Sequence, residues 1–367
     1  MDPAIKNFAV VEYTSKTGDI WKHTDEKPNY LADPIKEIDP TSFGSYVSAF
    51  KGEHIPITKL IKPNFFKKVI KRLSGSWPKN YDISYIEKFD TLLVVHQASD
   101  AHEITNFVKR IQKVYPDIFV LGVPTWPYGQ LRPYIEENQK ARQDFIEYMN
   151  TCDLFISVVE STTDWYKSLT DTPVVYVPQI YPAHFAKQYA KPQKEKDPSI
   201  FVAGVTSRPN IKQGQQVAVA LQKKFPDHTI HVTDITGIDY DISELENSNY
   251  KILPFQQWRE HLPTLASHKL VINTDYTKTR GRVQVDCAAV GTPSLGGNSD
   301  GEIDLFPDLV STPKTSTQEL IEKGLKLLTN SEHYMAVVEQ AEARLHKYDF
   351  EESVARLQIL VKQHRHA

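Results

Sequence analysis

The chain has 367 residues but only two cysteines, Cys152 and Cys287. Two thiols cannot build a disulfide framework, and both sit inside apolar segments, so buried and reduced side chains are expected. No apolar run approaches the roughly 18 residues that a membrane-crossing helix needs. The opening segment, Met1 to Ser15, lacks a charged start, an apolar stretch and a cleavage site. It does not read as a signal peptide, and a cytoplasmic location is the expectation. Net charge is nearly absent: 43 basic against 46 acidic residues leave −3, which does not mark a nucleic-acid binder. A Walker phosphate loop is missing, as is the Cys/His spacing of a metal centre. The acidic pair in Asp239 to Ser243 reads as a turn, not as a metal-binding loop after a strand. No metal and no separate cofactor are therefore expected.

What is present is the material of a large α/β protein. Hydrophobic residues make up 40% and charged residues 24%, enough for a full core, and the length suits two domains. Short apolar runs alternate with helical patterns, the mark of parallel sheets covered by helices. In the first half the spacing predicts strands at Phe8–Tyr13, Thr91–His96, Phe119–Val123, Leu154–Val159 and Val174–Val177, with helices over Ala101–Val114 and Tyr134–Asn150. Residues 186–198 are polar, lysine-rich and carry two prolines, and read as a linker. A second series follows, with strands at Ile200–Ala203, Thr229–Val232 and Leu270–Asn273. Its helices are expected over Gln213–Lys224, Arg282–Val290, Thr317–Thr329 and His333–His346, with a last one over Phe350–Gln363. The expected division is 1–190, 191–345 and a C-terminal helix, 346–367, that packs back toward the first domain.

The most informative segment runs from Thr279 to Gly297, TRGRVQVDCAAVGTPSLGG, directly after the strand LVINTD. Gly281 permits a tight turn, and Arg282 to Val290 has helical spacing. A helix that starts there points free N–H groups and the positive end of its dipole into the crevice at the strand end, which favours a phosphate. Asp286 lies one turn in, on the same face as Arg282, where it would accept hydrogen bonds from ribose hydroxyls.

This segment resembles the donor-binding signature of retaining GT-B glycosyltransferases, roughly E-G-F-G-x-x-x-x-E-A-x-A-x-G-x-P. The resemblance implies two Rossmann-like domains facing across a cleft, with a nucleotide-diphosphate sugar as donor substrate. The ribose-gripping second glutamate of the signature matches Asp286. The first, which contacts the donor sugar, falls on Lys278, a departure that leaves the sugar contact to other groups and lets Lys278 neutralise phosphate. Upstream, FVAGVTSRPNIKQGQQ is similar to the family's first C-terminal strand and basic loop, so Arg208 and Lys212 match its diphosphate-binding arginine and lysine. Arg280 or Arg282 would assist. In the first half, VEYTSKTGDIW places Gly18 where the family has a glycine-containing loop over the phosphates, and FDTLLVVHQASDAHE resembles the acceptor side of the cleft. There His96, at a strand tip, and Asp100 are the candidates near the reacting sugar. Asp100 and His102 also read as the start of a helix. The resemblance implies transfer of a hexose or related sugar to an acceptor hydroxyl with retention and without metal. The rivals are a GT-B-shaped epimerase and a nucleotide-sugar binding protein without transfer, the latter favoured by Lys278.

Lys59 to Arg72 carries basic and no acidic residues, with Phe65, Phe66, Val69, Ile70 and Leu73 interleaved and Trp77 following. Such a helix packs on its own domain, or meets an anionic membrane surface, or receives a nucleic-acid backbone. Peripheral membrane contact through 59–77 would suit a lipid-linked or glycan acceptor.

Overall fold

The computed structural model describes residues 3–12, 43–60, 82–96, 101–203, 210–233 and 241–365. Two all-parallel sheets organise them. The first has the order β2-β1-β3-β4-β5-β6, from β1 (Phe8–Glu12), β2 (Glu53–Pro56), β3 (Thr91–His96), β4 (Phe119–Pro124), β5 (Leu154–Ser157) and β6 (Val174–Tyr176). The second has the order β11-β10-β7-β8-β9, from β7 (Asp197–Val202), β8 (Thr229–Thr233), β9 (Tyr250–Leu253), β10 (His268–Ile272) and β11 (Ser294–Leu295). The order in which strands are added reverses beside β1 in one sheet and beside β7 in the other. In such sheets ligands bind beyond the carboxyl ends of the strands.

The strands are short apolar runs buried on both faces, as β3 (TLLVVH) and β4 (FVLGVP) show in every position. Helices cover them: α1 (Gly44–Phe50), α2 (Ala101–Val114), α3 (Tyr128–Glu137), α4 (Gln139–Thr151), α5 (Thr163–Lys167) and α6 (Ala183–Ala186) in the first half. The second half adds α7 (Ile211–Lys224), α8 (Trp258–Ser267), α9 (Arg282–Ala289), α10 (Asp300–Leu305), α11 (Thr317–Thr329), α12 (Ser331–Arg344) and α13 (Phe350–Arg365). The single helix expected over 134–150 is two helices. Asn138 leaves helical geometry, and its side chain accepts the Ala141 N–H at 3.0 Å, capping α4. The expected linker is also more ordered than its composition suggests. It contains two short 3-10 turns, Lys187–Tyr189 and Gln193–Glu195, and runs into β7, and Lys196 is buried, its ammonium donating to the Ala266 carbonyl at 2.7 Å and the Thr292 hydroxyl at 2.8 Å. Burial pulls that amine down to about 7.

One apolar cluster fills the second half, and two line the faces of the first sheet. Leu357 and Val361 of α13 join Phe8, Val10, Leu93 and Val95 in one of these, so the last helix lies on the first sheet. Arg365 fixes its end by donating to the carbonyls of Ala4 and Asp90. Both cysteines are free and buried. Among the described residues no helix is long and apolar enough to cross a membrane.

Candidate active site

A cavity of about 280 Å³ lies where the two sheets present their strand ends to each other. One wall comes from the first half: Pro124 to Tyr128 after β4, Val158, Val159 and Thr162 after β5, and Tyr166. The other comes from the loop after β10 and the first turn of α9, Asn273 to Gln284. Two hydrogen bonds bridge the halves at its edges. The Gly129 N–H donates to the Thr277 carbonyl at 2.8 Å, and the Glu160 N–H donates to the Asp300 carboxylate at 2.6 Å. Gly129 lies so close that a Cβ there would sit 2.9 Å from the Thr277 Cα.

The sequence produces the cationic wall through two left-handed residues, Lys278 (φ 52) and Gly281 (φ 84). They turn the chain sharply between β10 and α9. Gly281 is required twice over, because a Cβ on it would also meet the Gly301 backbone nitrogen at 2.5 Å. The first N–H groups of α9 have no partner within the helix, and Arg282, Val283 and Gln284 line the cavity with them. Lys278, Arg280 and Arg282 place three cations on this wall. The Lys278 ammonium stands 5.4 Å from the Tyr128 ring centroid, and the Arg280 guanidinium lies 4.9 Å from that of Phe43. Burial, reinforced by neighbouring Arg282, lowers the Arg280 pKa to about 10, so it stays charged at neutral pH. Arg282 donates through Nε to Asp286 at 3.0 Å and lies 5.6 Å from the Trp258 ring.

Several expected roles change in this geometry. Asp286 does not offer its carboxylate to a ribose. It is 2% exposed, and Tyr181 Oη at 2.6 Å, Trp258 Nε1 at 2.8 Å and Arg282 Nε at 3.0 Å already donate to it. The face of α9 expected to be polar is covered because α8, which brings Trp258, packs against it. His96 does not face the cleft. Although it ends β3, its ring is 1% exposed and packs 4.3 Å from Tyr148 and 5.1 Å from Phe145. Neither ring nitrogen has a hydrogen-bond partner among the described residues, and burial lowers its pKa to about 4, so the imidazole is neutral. Its main chain does matter to the cavity: the His96 carbonyl accepts from Thr125 N at 3.0 Å and Thr125 Oγ1 at 3.2 Å. Lys212, in the first turn of α7, is exposed, pairs with Asp241 at 2.8 Å and does not line the cavity. Gly18, Asp100 and Arg208 lie outside the described residues, as does the basic stretch from residue 61 onward. Sequence reasoning passed over Trp126, Tyr128 and Tyr166. For Trp126 and Tyr128 the signal was PTWPY, two aromatics interleaved with two prolines at a strand end.

The described residues hold one cluster with metal-ligand geometry, His102, Asp144 and Glu147. It is outside the cavity, and Lys140 and Lys109 already pair with its two carboxylates.

The fold has relatives among solved structures. An S. aureus TarM mutant in complex with Fondaparinux, alpha-GlcNAc-glycerol and UDP aligns over 76% of this chain and 57% of its own, with 15% identity and a TM-score of 0.59. This chain thus spans little more than half the length of that protein. A trehalose-6-phosphate structure from E. coli bound with UDP-2-fluoro glucose aligns over 97% of this chain and 99% of its own, at 11% identity and a TM-score of 0.63. WaaG, a glycosyltransferase involved in lipopolysaccharide biosynthesis, aligns over 97% and 99%, at 12% identity and a TM-score of 0.54. No protein-family model matches the chain, and no curated protein matches it in sequence. At these identities the likeness is one of fold, and the fold is α/β with two Rossmann-like halves facing across a cleft, the GT-B architecture.

Proposed function

We propose that the protein is a nucleotide-sugar-dependent glycosyltransferase that moves a hexose or related sugar to an acceptor hydroxyl with retention and without a metal ion. One observation carries this reading: Lys278, Arg280 and the first turn of α9 converge on a cavity between the strand ends of two parallel sheets. A diphosphate set there meets fixed cations and free N–H groups. As the bond from the anomeric carbon to the phosphate oxygen breaks, negative charge builds on that oxygen, and the preset cations stabilise it without solvent reorganisation. The acceptor oxygen bonds to the anomeric carbon on the same face, and its proton passes to the leaving phosphate oxygen. Atoms and charge balance without a protein nucleophile. Asp286 contributes indirectly, holding Arg282 at the rim of the cavity. Arg208, Gly18 and the membrane-facing role of 59–77 stay part of this reading as proposals from sequence, with domain limits near 190 and 345. Lys212 would reach phosphate only by leaving Asp241.

The UDP-containing relatives make UDP and UDP-sugars the first probes. The test is a thermal-shift and calorimetric screen of nucleoside diphosphates and their sugars, with Lys278→Ala and Arg280→Ala alongside. Binding that both variants weaken supports the site, and binding that neither changes refutes it. Proton NMR of the product reports the anomer, and chelator treatment reports metal dependence. Lys278, in place of a carboxylate, favours a second reading, a binding protein without transfer. Binding of a donor with no transfer to any acceptor and no turnover alone would select it.

A further inference from the structure

We infer that the first-half wall of the cavity is a stacking platform for an uncharged pyranose ring, so that the acceptor is a saccharide; this rests on the donor reading above. Among the described residues, the nine from the first half that line the cavity include no charged side chain, whereas the facing wall carries Lys278, Arg280, Arg282 and Asp275 and no aromatic ring. The two walls therefore want different parts of one reacting pair. A pyranose has one face of C–H groups, which are weakly positive, and aromatic faces are negative. A phosphorylated or carboxylated acceptor would have to share the cations that the diphosphate needs.

The rings are held in place before any ligand arrives. Trp126 is braced edge-on by Tyr134 with centroids 5.2 Å apart and Tyr128 by Trp165 at 5.1 Å, while Tyr166, 3% exposed, supports Trp165 from the core at 4.9 Å. The loop that carries two of them is tied at both ends. Pro124 and Pro127 restrict its backbone, Thr125 is anchored to the His96 carbonyl, and Gly129 is bonded to Thr277. Such an ordered surface loses little entropy on binding. Size agrees: a cavity of about 280 Å³ is near the lower end of small-molecule sites, roughly 300 Å³ upward, and suits a sugar ring beside a phosphate.

The experiment titrates the full chain, saturated with UDP, with methyl α- and β-pyranosides of glucose, galactose, mannose and N-acetylglucosamine, and with maltotriose. Glycerol 3-phosphate and uridine run in parallel, and Trp126→Leu is compared with Trp126→Phe. The expected result is that at least one uncharged saccharide binds, that Trp126→Leu weakens it by about tenfold or more, and that Trp126→Phe restores most of the affinity. UDP affinity should stay within about twofold in both variants. The inference is overturned if no saccharide binds, if Trp126→Leu binds the same saccharide equally well, or if uridine is the ligand that follows residue 126. Failure of UDP to bind the unaltered protein strikes the donor reading instead, and saccharide binding measured without UDP then still decides the platform.

Discussion

Arg280 should make the empty protein less stable, and that cost should be reversed by an anion. Burial moves its guanidinium down to about 10. At 1.36 kcal/mol per pH unit that is about 3 kcal/mol against the charged form. Part of the side chain faces the cavity, and solvent screening there reduces the figure to about 2 kcal/mol. The group is charged in both folded and unfolded chains at neutral pH, so the penalty is constant between about pH 5 and 9 and is relieved only as pH rises through 10. Arg280→Met removes the charge and keeps apolar contact with Phe43. With an unfolding entropy of about 2.1 cal/mol/K per residue, 2 kcal/mol on a chain of this length raises the melting temperature by about 2–3 °C. Ligand should act in the opposite direction. A nucleoside diphosphate at 100 times its Kd stabilises the unaltered protein by about 2.7 kcal/mol, or ~3 °C. Losing a charged hydrogen-bond donor costs about 1.5–3 kcal/mol of binding, so most of this shift disappears at the same ligand concentration. Differential scanning fluorimetry with and without UDP measures both changes. An Arg280→Met protein that melts lower when empty and keeps its UDP shift would make Arg280 a structural cation and remove it from the site.

Asp300 links stability to pH. It is 8% exposed, and burial first, with Glu160 and Asp304 nearby, lifts it to about 6 despite hydrogen bonds from the Glu160 N–H and Tyr176. Its folded pKa exceeds the unfolded one, so its contribution is complete below about pH 4 and is lost as pH rises through about 6, by roughly 2–3 kcal/mol. Asp300→Asn keeps an acceptor for Glu160, and the difference in urea midpoint between variant and parent should grow between pH 4 and 7; a constant difference refutes the assignment. Gly129→Ala drives a methyl into Thr277 and breaks a bond between the halves. It should cost about 1–3 kcal/mol and widen the cleft, seen as a larger radius of gyration in solution scattering, and an unchanged radius counts against it. Burial pushes both cysteine thiols well up, so neither should react with an aromatic disulfide reagent at pH 8 until urea exposes them. Rapid reaction of the native protein would contradict the packing.

The sheets were legible because parallel strands buried on both faces leave a contiguous apolar signal, and Thr91–His96 matches its strand end for end. Strands β2 and β9 were not, because EHIP and YKIL mix charge with apolar residues at sheet edges. Missing α8 had the larger consequence. LPTL breaks its helical pattern with Pro263, yet its Gln257–Glu260 capping box starts it and Trp258 packs it against α9. Without it Asp286 reads as a surface residue on the polar side of a helix. With it the same carboxylate is closed in by Tyr181 and Trp258. Helix periodicity fixes which residues share a face, but only tertiary contacts decide which face meets water. His96 shows the same limit in a strand, where the end of β3 faces the cleft but the ring turns inward.

Lys278 replaces a carboxylate of the signature, and the surrounding charges show what that does. Asp275, the one acidic residue lining the cavity among the described residues, accepts from the Thr277 N–H at 2.8 Å and Thr277 Oγ1 at 2.6 Å, which shapes the loop that delivers Lys278. Asp286 balances Arg282 from behind. Three cations, Lys278, Arg280 and Arg282, against Asp275 and Asp286 leave this wall with a net positive charge, the sign that the proposed diphosphate needs. A carboxylate at 278 would instead hold a sugar hydroxyl and weaken that field. Lys278→Glu should therefore lower affinity for a free nucleoside diphosphate more than for a nucleotide sugar, because only the latter gains the hydroxyl contact. Equal losses for the two ligands, measured by calorimetry, would mean that residue 278 acts on the loop and not on the ligand.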